Sequence, residues 1–261
     1  MSARDLQRIA AFRASFARRQ AAVVTEVPGG AAVLDPGYSA SHEHNQLVID
    51  GTPTPSALAA LADTTLGHLP FRRITVLDDA VGNACAPALT AAGYGHETEL
   101  VMTFNGTAAP PGAPAQRVTL AELRAALIRQ LRVWMPHAED VVVNQLADRR
   151  SARLRGAEQV HFLAVRDENG IVGSWADLYL DATQGIAQIE DVITADTHVR
   201  RGYADTILAT ALQHGSGYGL VFLLADPDDW PHAWYTRRGF TPIGRSHVFT
   251  RTTTPGPRSA D

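Results

Sequence analysis

The sequence predicts an α/β protein built from two successive halves of similar design. Helical and strand patterns alternate along the 261 residues. An uncharged segment rich in Pro, Gly and Ala, residues 107–116, can continue neither a helix nor a sheet ladder and indicates a linker. Residues 89–94 and 235–240 each end a predicted helix with a glycine followed by an aromatic residue, within the same order of elements. This repetition favours an internal duplication.

The first half, residues 1–106, opens with an amphipathic helix and continues with short strands and helices. Its arginine-rich start lacks the apolar stretch of a secretory signal, and we expect a helix there rather than an organellar presequence. A Pro-Gly-Gly turn at 28–30 joins the first two strands. Helices are predicted at about 3–19, from 56 and at 81–92, and strands at 21–26, 31–35, 46–50, 73–77 and 96–104.

The second half, residues 117–251, has clearer signals. A capping box at 119–122 opens its first helix. Pro231 fits the first turn of its last helix, with Asp228 or Asp229 as the predicted cap. Residues 252–261 are expected to form a flexible tail. Helices are predicted at 119–135, 140–154, 204–214 and from 231, and strands at 160–165, 171–180, 186–194, 219–225 and 241–251.

Composition and charge exclude several classes of function. A net charge of −4 gives no reason to expect a nucleic-acid partner. The single cysteine, Cys85, permits no disulfide and no cysteine metal cluster within one chain, and a reducing cytoplasm is the expected location. No apolar run approaches the roughly 20 residues that span a membrane, and no membrane partner is expected. All 23 basic residues are arginine, so the protein has no lysine of its own to acylate.

The turn at residues 198–204 indicates an anion site. The predicted strand 186–194 leads into this turn, which contains Gly202 and opens the predicted helix 204–214. Free N–H groups in a first helical turn and the helix dipole both favour phosphate. A phosphorylated ligand is therefore expected at this point.

Residues 192–240 resemble the GNAT superfamily of acyl-CoA-dependent N-acyltransferases. The family's pyrophosphate loop, Arg/Gln-x-x-Gly-x-Gly/Ala, corresponds to residues 199–204, and its Tyr-x-x-x-Gly-Phe motif corresponds to residues 235–240. The resemblance covers 117–251 well and 1–106 by element order. It implies two tandem domains, each a mostly antiparallel sheet flanked by helices, with a degenerate first domain.

The resemblance also implies acetyl-CoA as the acyl donor and a set of residues that would hold it. Val199 stands where the family has Arg or Gln, which is expected to weaken cofactor binding without abolishing it. Asp228 stands where the family often has Asn against the pantetheine arm. The cofactor-binding residues implied are Val192, Ile193, Thr194, Arg200, Arg201, Gly202, Tyr203, Ala204, Asp205 and Asp228.

Two residues are the catalytic candidates. A phenol keeps its proton at pH 7, so Tyr235 suits the acid that protonates the departing thiolate; packing at a helix end is the alternative. The resemblance places a general base on the strand before the loop, where Glu190 and Asp191 are adjacent. Strand alternation predicts that their side chains point to opposite faces. We choose Glu190, and Asp191 is left to cap or brace the strand. Backbone N–H groups at 192–194 are the implied oxyanion donors.

Other residues carry weaker signals. Three histidines are further candidates for a proton acceptor, and each also suits a packed or solvated position: His161, His198 and His232. The aromatic residues that suit either an acceptor pocket or the core are Trp134, Trp175, Tyr179 and Trp234. His42 and His44 would share a strand face, but no third ligand is evident and no metal is expected. The Gly-x-Gly-x-x-Gly signature of a dinucleotide site is missing.

The first half is expected to bind no acyl-CoA. Pro53 and Pro55 remove two N–H donors from its loop, and Leu89 stands where the phenol would be. Its predicted roles are to pack against the second half and to form part of the acceptor pocket. Paired halves fill the interface that single-domain relatives form by dimerising, which leaves monomer and homodimer open.

The prediction is a cytoplasmic N-acetyltransferase that moves an acetyl group from acetyl-CoA to a primary amine by direct attack on the thioester. A small-molecule amine is the expected acceptor, with a protein amine as the alternative. A non-catalytic acyl-CoA sensor and an interaction module remain the alternatives of another class.

Overall fold

The computed structural model describes residues 3–107 and 113–252, and places their strands in one mixed eleven-stranded sheet. Residues 108–112 of linker 107–116 and residues 253–261 of the tail lie outside the described residues. The helices are α1 (Ala3–Gln20), α2 (Leu58–Leu66), α3 (Asp79–Ala91), α4 (Leu120–Trp134), α5 (Asp140–Asp148), α6 (Arg150–Arg153), α7 (Tyr203–Gly215) and α8 (Pro231–Thr236). The strands are β1 (Val23–Val27), β2 (Gly30–Leu34), β3 (Gln46–Ile49), β4 (Phe71–Val76), β5 (Gly95–Phe104), β6 (Gln116–Val118), β7 (Gln159–Arg166), β8 (Val172–Asp181), β9 (Ile186–Thr194), β10 (Leu220–Ala225) and β11 (Phe240–Thr252).

The two halves repeat one topology, as the duplication predicts. In the first half β1, β2 and β3 pair antiparallel, and β3 pairs parallel with β4 across α2. In the second half β7, β8 and β9 pair antiparallel, and β9 pairs parallel with β10 across α7. Parallel neighbours need such a helical crossover, whereas the antiparallel neighbours within each half are joined by turns or, between β2 and β3, by the irregular loop 35–45.

The last strand of each half completes the sheet of the other half. The strand order is β1-β2-β3-β4-β11-β5-β10-β9-β8-β7-β6. Strand β5 of the first half therefore lies between β10 and β11, and β11 of the second half lies between β4 and β5. The two sheets expected from the sequence are thus fused by strand exchange into one continuous sheet.

Helices cover both faces of this sheet. On one face α1 reaches across the halves: Phe12 packs edge-on against Phe222 of β10, and Phe16 stacks on Tyr179 of β8 with ring centroids 4.4 Å apart. On the other face α7 buries Ile207 in a core of second-half residues that also includes Leu100 and Met102 of β5, while α2 and α3 cover the first half. Burial of α1 against second-half strands ties the two halves together through apolar contact.

Most predicted elements are confirmed, and two local predictions are wrong. The capping box of α4 is present. The N-cap residue of helix α8 is Trp230, not Asp228 or Asp229, and no side chain caps this helix. The Asp229 side chain instead accepts a hydrogen bond from the Trp230 N–H at 2.7 Å. His42 and His44 lie in an irregular loop before β3, so they share no strand face. None of the described helices is long and apolar enough to cross a membrane.

Candidate active site

Strand β9 is both bulged and separated from its neighbour at the point where the site forms. Its parallel pairing with β10 ends at Ile189, opposite Leu223. Its register with β8 shifts by one residue after Glu190, and Asp191 adopts a left-handed φ of 52°. A bulge of this kind re-aims side chains and leaves backbone groups unpaired. The backbone of 190–194 therefore faces an opening between β9 and β10.

The bulge corrects the prediction that Glu190 and Asp191 point to opposite faces. Both side chains line the same cavity. The expected alternation fails because the extra residue breaks the two-residue period of the strand. Sequence reasoning missed the bulge, since a left-handed aspartate within a run of strand-forming residues carries no clear local signal.

The turn before α7 has the geometry of an anion site. Arg200 and Gly202 have left-handed φ values of 64° and 77°, and Gly202 is the N-cap residue. The first helical bond runs from the Thr206 N–H to the Gly202 carbonyl at 3.1 Å. The N–H groups of Tyr203 and Ala204 precede it and have no partner further back in the helix.

This turn lies at a cavity of about 640 Å³ that we call the loop cavity. It brings together eight of the predicted site residues, with the helix α8 aromatics opposite the turn. Val199, which is 52% exposed, also reaches it. The lining residues are Val192, Thr194, His198, Val199, Arg200, Gly202, Tyr203, Ala204, Asp205, Trp230, Pro231, Trp234 and Tyr235.

Three of the predicted cofactor residues lie outside the lining of the loop cavity. The Ile193 side chain packs against the apolar core on the α1 face of the sheet. Arg201 is exposed and absent from the lining. Asp228 is also exposed, in the turn that precedes α8, where its N–H donates to Asp226 at 2.8 Å.

Tyr235 is buried and lines the loop cavity. Its ring packs edge-on against Trp234 and Phe240, with centroids 5.0 and 5.7 Å away. Burial, together with the charges of Glu190 and Asp191, raises the pKa of the phenol above its usual range. The hydroxyl therefore keeps its proton across the physiological pH range and can donate it to a stronger base.

A second cavity of about 280 Å³, the central cavity, lies between α1, the sheet and the loop before β3. Both halves line it, and charged side chains of both signs make up eight of its nineteen lining residues. The lining residues of the first half are Arg13, Phe16, Ala17, Gln20, His42, Glu43, Gln46, Val48, Arg73, Thr75, Leu77 and Glu99. Those of the second half are Arg149, Arg153, Tyr179, Gln188, Glu190, Asp191 and Leu224.

Glu190 is the carboxylate of the central cavity with the most perturbed acidity. Burial and the neighbouring Asp191 charge raise the pKa of Glu190 to about 8. Gln188 donates a hydrogen bond to it, and no arginine lies within ion-pair distance among the described residues. The ionised form of a carboxyl with this pKa is basic enough to accept a proton from an amine, and it dominates above about pH 8.

Asp191 has the opposite environment. It accepts from Arg150 at 2.6 Å and from Arg153 at 2.7 Å. These cations hold the pKa of Asp191 below its ordinary value, although burial opposes them. The two adjacent carboxyls thus differ in acidity: the pKa of Glu190 is raised, and that of the arginine-braced Asp191 is lowered.

A buried ion network holds the bulge and joins the halves. Arg153, 2% exposed, donates to Asp177 at 2.6 Å, to Asp191 and to Glu43 of the first half at 2.6 Å. Arg150 also donates to the fully buried Asp177. Removing one member of such a network leaves an uncompensated buried charge. Sequence reasoning missed this network because its members lie up to about 150 residues apart in the chain.

The remaining sequence candidates lie elsewhere or have structural partners. His198 bonds Asp167 at 3.2 Å and Thr197 at 2.8 Å, which braces the turn. Burial lowers the pKa of His161 to about 4 on β7, and His232 is bonded to the Asp229 carbonyl at 2.6 Å. Trp134 is exposed and Trp175 is core, whereas Trp234 lines the loop cavity and Tyr179 the central cavity.

The sequence of residues 122–240 matches the model of the acetyltransferase (GNAT) family. This segment belongs to the GNAT acetyltransferase family. Its loop cavity and β9 bulge are therefore features of a GNAT domain, and the first half repeats the same strand order without the family match.

Solved structures that include GNAT proteins share the fold of the whole chain. A GCN5-related N-acetyltransferase from Kribbella flavida superposes with a TM-score of 0.63 at 15% identity, covering 97% of this chain and 96% of its own. A tandem GNAT protein from the clavulanic acid biosynthesis pathway superposes with a TM-score of 0.54 at 15% identity, and the match covers 81% of this chain and 76% of that protein. A conserved protein of unknown function from Staphylococcus epidermidis superposes with a TM-score of 0.63 at 12% identity, and the match covers 88% of this chain and 93% of that protein. None of the curated proteins matches this sequence.

The first half lacks the GNAT loop geometry at the corresponding place. A short 3-10 turn, Pro55–Ala57, precedes α2, and Pro53 packs tightly against Gly29. Leu89 is fully buried in the core of that half. The described residues of this segment thus pack against the first half and do not form a phosphate-binding turn.

Proposed function

We propose that the chain is an N-acetyltransferase whose second half binds acetyl-CoA and acetylates a small primary amine. The observation that carries this proposal is the position of the bulged stretch of β9. Glu190 and Asp191 of that stretch line the central cavity, and the adjacent Val192 lines the loop cavity. An acyl donor in one cavity and an amine in the other would meet at the bulge.

The proposed reaction uses groups on both sides of the bulge. The pyrophosphate lies on the turn at 200–205, and the thioester reaches into the opening between β9 and β10. Glu190 takes a proton as the amine nitrogen attacks the carbonyl carbon. Backbone N–H groups near Val192 stabilise the oxyanion. The carbon–sulfur bond then breaks, and Tyr235 protonates the departing thiolate.

We further propose that the protein acts in the cytoplasm as a monomer. The buried free thiol of Cys85 suits a reducing cytoplasm. Strand exchange within one chain completes both sheets, which supports a monomer, with a homodimer as the alternative.

The matched hydroxyl variants Tyr235→Phe and Tyr218→Phe test whether the site turns over. Loss of the acid is expected to lower kcat by about 10²-fold or more while the Kd for acetyl-CoA changes little. Thiol release from acetyl-CoA with a panel of amines gives kcat, and calorimetry gives Kd.

The control Tyr218 lies in the turn after α7, so its variant should behave as wild type. The exposed Val199 in place of the family's Arg or Gln favours one second candidate, an acyl-CoA sensor. Binding of acetyl-CoA without turnover on any amine, unaffected by Tyr235→Phe, would support the sensor and contradict the enzyme.

A further inference from the structure

The charges that line the central cavity are mostly neutralised in pairs. Arg13 donates to Glu99 at 2.8 Å, and Arg153 donates to Glu43 and Asp191. Buried charges in proteins are normally paired in this way, because desolvation without a partner is costly. A lining charge that lacks a partner is therefore an indication of a missing ligand.

Arg73 of β4 is such a charge. Its side chain lines the central cavity, and it forms no ion pair or side-chain hydrogen bond with any residue in 3–107 or 113–252. Its Nε is buried without a partner. The adjacent Arg72, in contrast, is bonded to Asp63 at 3.1 Å and to the Leu69 carbonyl at 2.7 Å. The fold thus satisfies one arginine of the pair and leaves the other open toward the cavity.

Glu190 is a carboxyl that lines the same cavity and also lacks an ion-pair partner. It belongs to β9 of the second half, whereas Arg73 belongs to the first half. No ion pair joins the two within 4 Å in the described part of the chain. The same cavity therefore offers one guanidinium for an anion and one carboxyl for an amine.

We propose that the acceptor is a small amino acid, whose carboxylate binds Arg73 while its amine lies against Glu190. This inference rests on the proposed function and assigns the first half a substrate-binding role. A planar guanidinium suits a carboxylate because two parallel N–H···O bonds form. One guanidinium without an ion pair matches a single negative charge, and a volume of about 280 Å³ suits a small molecule.

The test compares acceptors with and without the carboxylate on matched variants. The probes are the L-amino acids, their carboxamides, and the series glycine, β-alanine and 4-aminobutyrate. Along this series the distance between the amine and the carboxylate increases. Arg73→Gln is expected to lower kcat/KM for the preferred amino acid on the order of 10²-fold, and the loss should come from a higher KM. The kcat/KM for the carboxamide of the same amino acid should change by less than about threefold. Arg73→Lys keeps the positive charge but cannot form two parallel hydrogen bonds to a carboxylate. Its kcat/KM for the amino acid should therefore lie between those of wild type and Arg73→Gln. Arg245→Gln, an exposed arginine on β11, should have no effect.

A binding measurement separates this inference from the proposed function. The preferred amino acid, without acetyl-CoA, should raise the thermal midpoint of the wild type and not that of Arg73→Gln. That result would support the carboxylate site even if acetyl-CoA fails to bind. Carboxamides or polyamines as the better acceptors, or equal losses for amino acid and carboxamide in Arg73→Gln, would overturn the inference while the acetyltransferase stands. Folding is checked by comparing the midpoints of the unliganded variants.

Discussion

At the scale of single residues, the site depends on two adjacent carboxyls that differ in acidity. Asp191 is surrounded by arginines and is ionised, whereas Glu190 lies beside Asp191 without a cation of its own. The arginines that brace Asp191 also fix the left-handed turn of the bulge. The same network thus holds the backbone in position and leaves Glu190 as the proton acceptor.

The acidity of Glu190 predicts a stability difference that depends on pH. Its pKa is raised to about 8 from an ordinary value of 4.5, so the folded state binds the proton more tightly than the unfolded state. The stability from this group is fully present below about pH 4.5 and is lost as pH rises through about 8. Glu190→Gln should therefore gain stability relative to wild type between pH 5 and pH 9, as measured by urea midpoints.

The control for this prediction is Glu97→Gln, an exposed carboxyl on β5. Its difference from wild type should not grow with pH in the same window. Glu190→Gln should also lower kcat about 10²-fold, in line with loss of a general base. An unchanged pH dependence of stability in Glu190→Gln would contradict the assigned acidity.

At the scale of elements, the turn before α7 decides how the cofactor is held. Gly202 has a left-handed φ of 77° with open space around its Cα, so backbone conformation is what requires glycine there. Val199 contributes an apolar side chain at the edge of the cavity, where the family resemblance implies a polar one. In the proposed site, cofactor binding would then depend on the backbone donors of the turn and on Arg200, which lines the cavity.

Val199→Gln tests this account of the turn. An added side-chain hydrogen bond to the bound pyrophosphate should lower the Kd for acetyl-CoA about tenfold, since a bond to a charged group contributes roughly 1.5 kcal/mol. Calorimetry measures the change, and Val199→Leu serves as the apolar control. Equal affinities for the Gln and Leu variants would place the pyrophosphate away from position 199.

The local patterns were sufficient to predict the elements but not their partners. The capping box of α4, the strand 186–194 and the glycine turn before α7 could be predicted because each depends on a few consecutive residues. The bulge at Asp191 and the network around Arg153 could not, because distant segments impose them. The unpaired state of Arg73 is likewise visible only once β4 and β9 are placed around one cavity.

At the scale of the whole molecule, strand exchange makes the halves interdependent. Removing β11 would uncover β4, and removing β5 would separate β10 from β11. Helix α1 and the contact between Arg153 and Glu43 add further links across the halves. Strand pairing across such a sequence distance is not encoded in local periodicity, which explains why the sequence analysis expected two separate sheets.

This architecture predicts a single cooperative unfolding transition. All four tryptophans lie in the second half, so their fluorescence reports on that half, whereas far-UV circular dichroism reports on both. The two signals should give coincident urea midpoints. A first-half transition seen by circular dichroism at lower urea, with fluorescence unchanged, would contradict the interdependence.

The central claim is that the second half holds the acyl donor on the turn before α7, and calorimetric titration with acetyl-CoA tests it most directly. Wild type should bind with micromolar affinity. Gly202→Pro, which fixes φ near −65° and removes an N–H from the turn, should lose binding. Gly217→Ala, in an open turn after α7, should bind as wild type. Absence of binding to the wild type, or undiminished binding by a folded Gly202→Pro variant, would contradict the account.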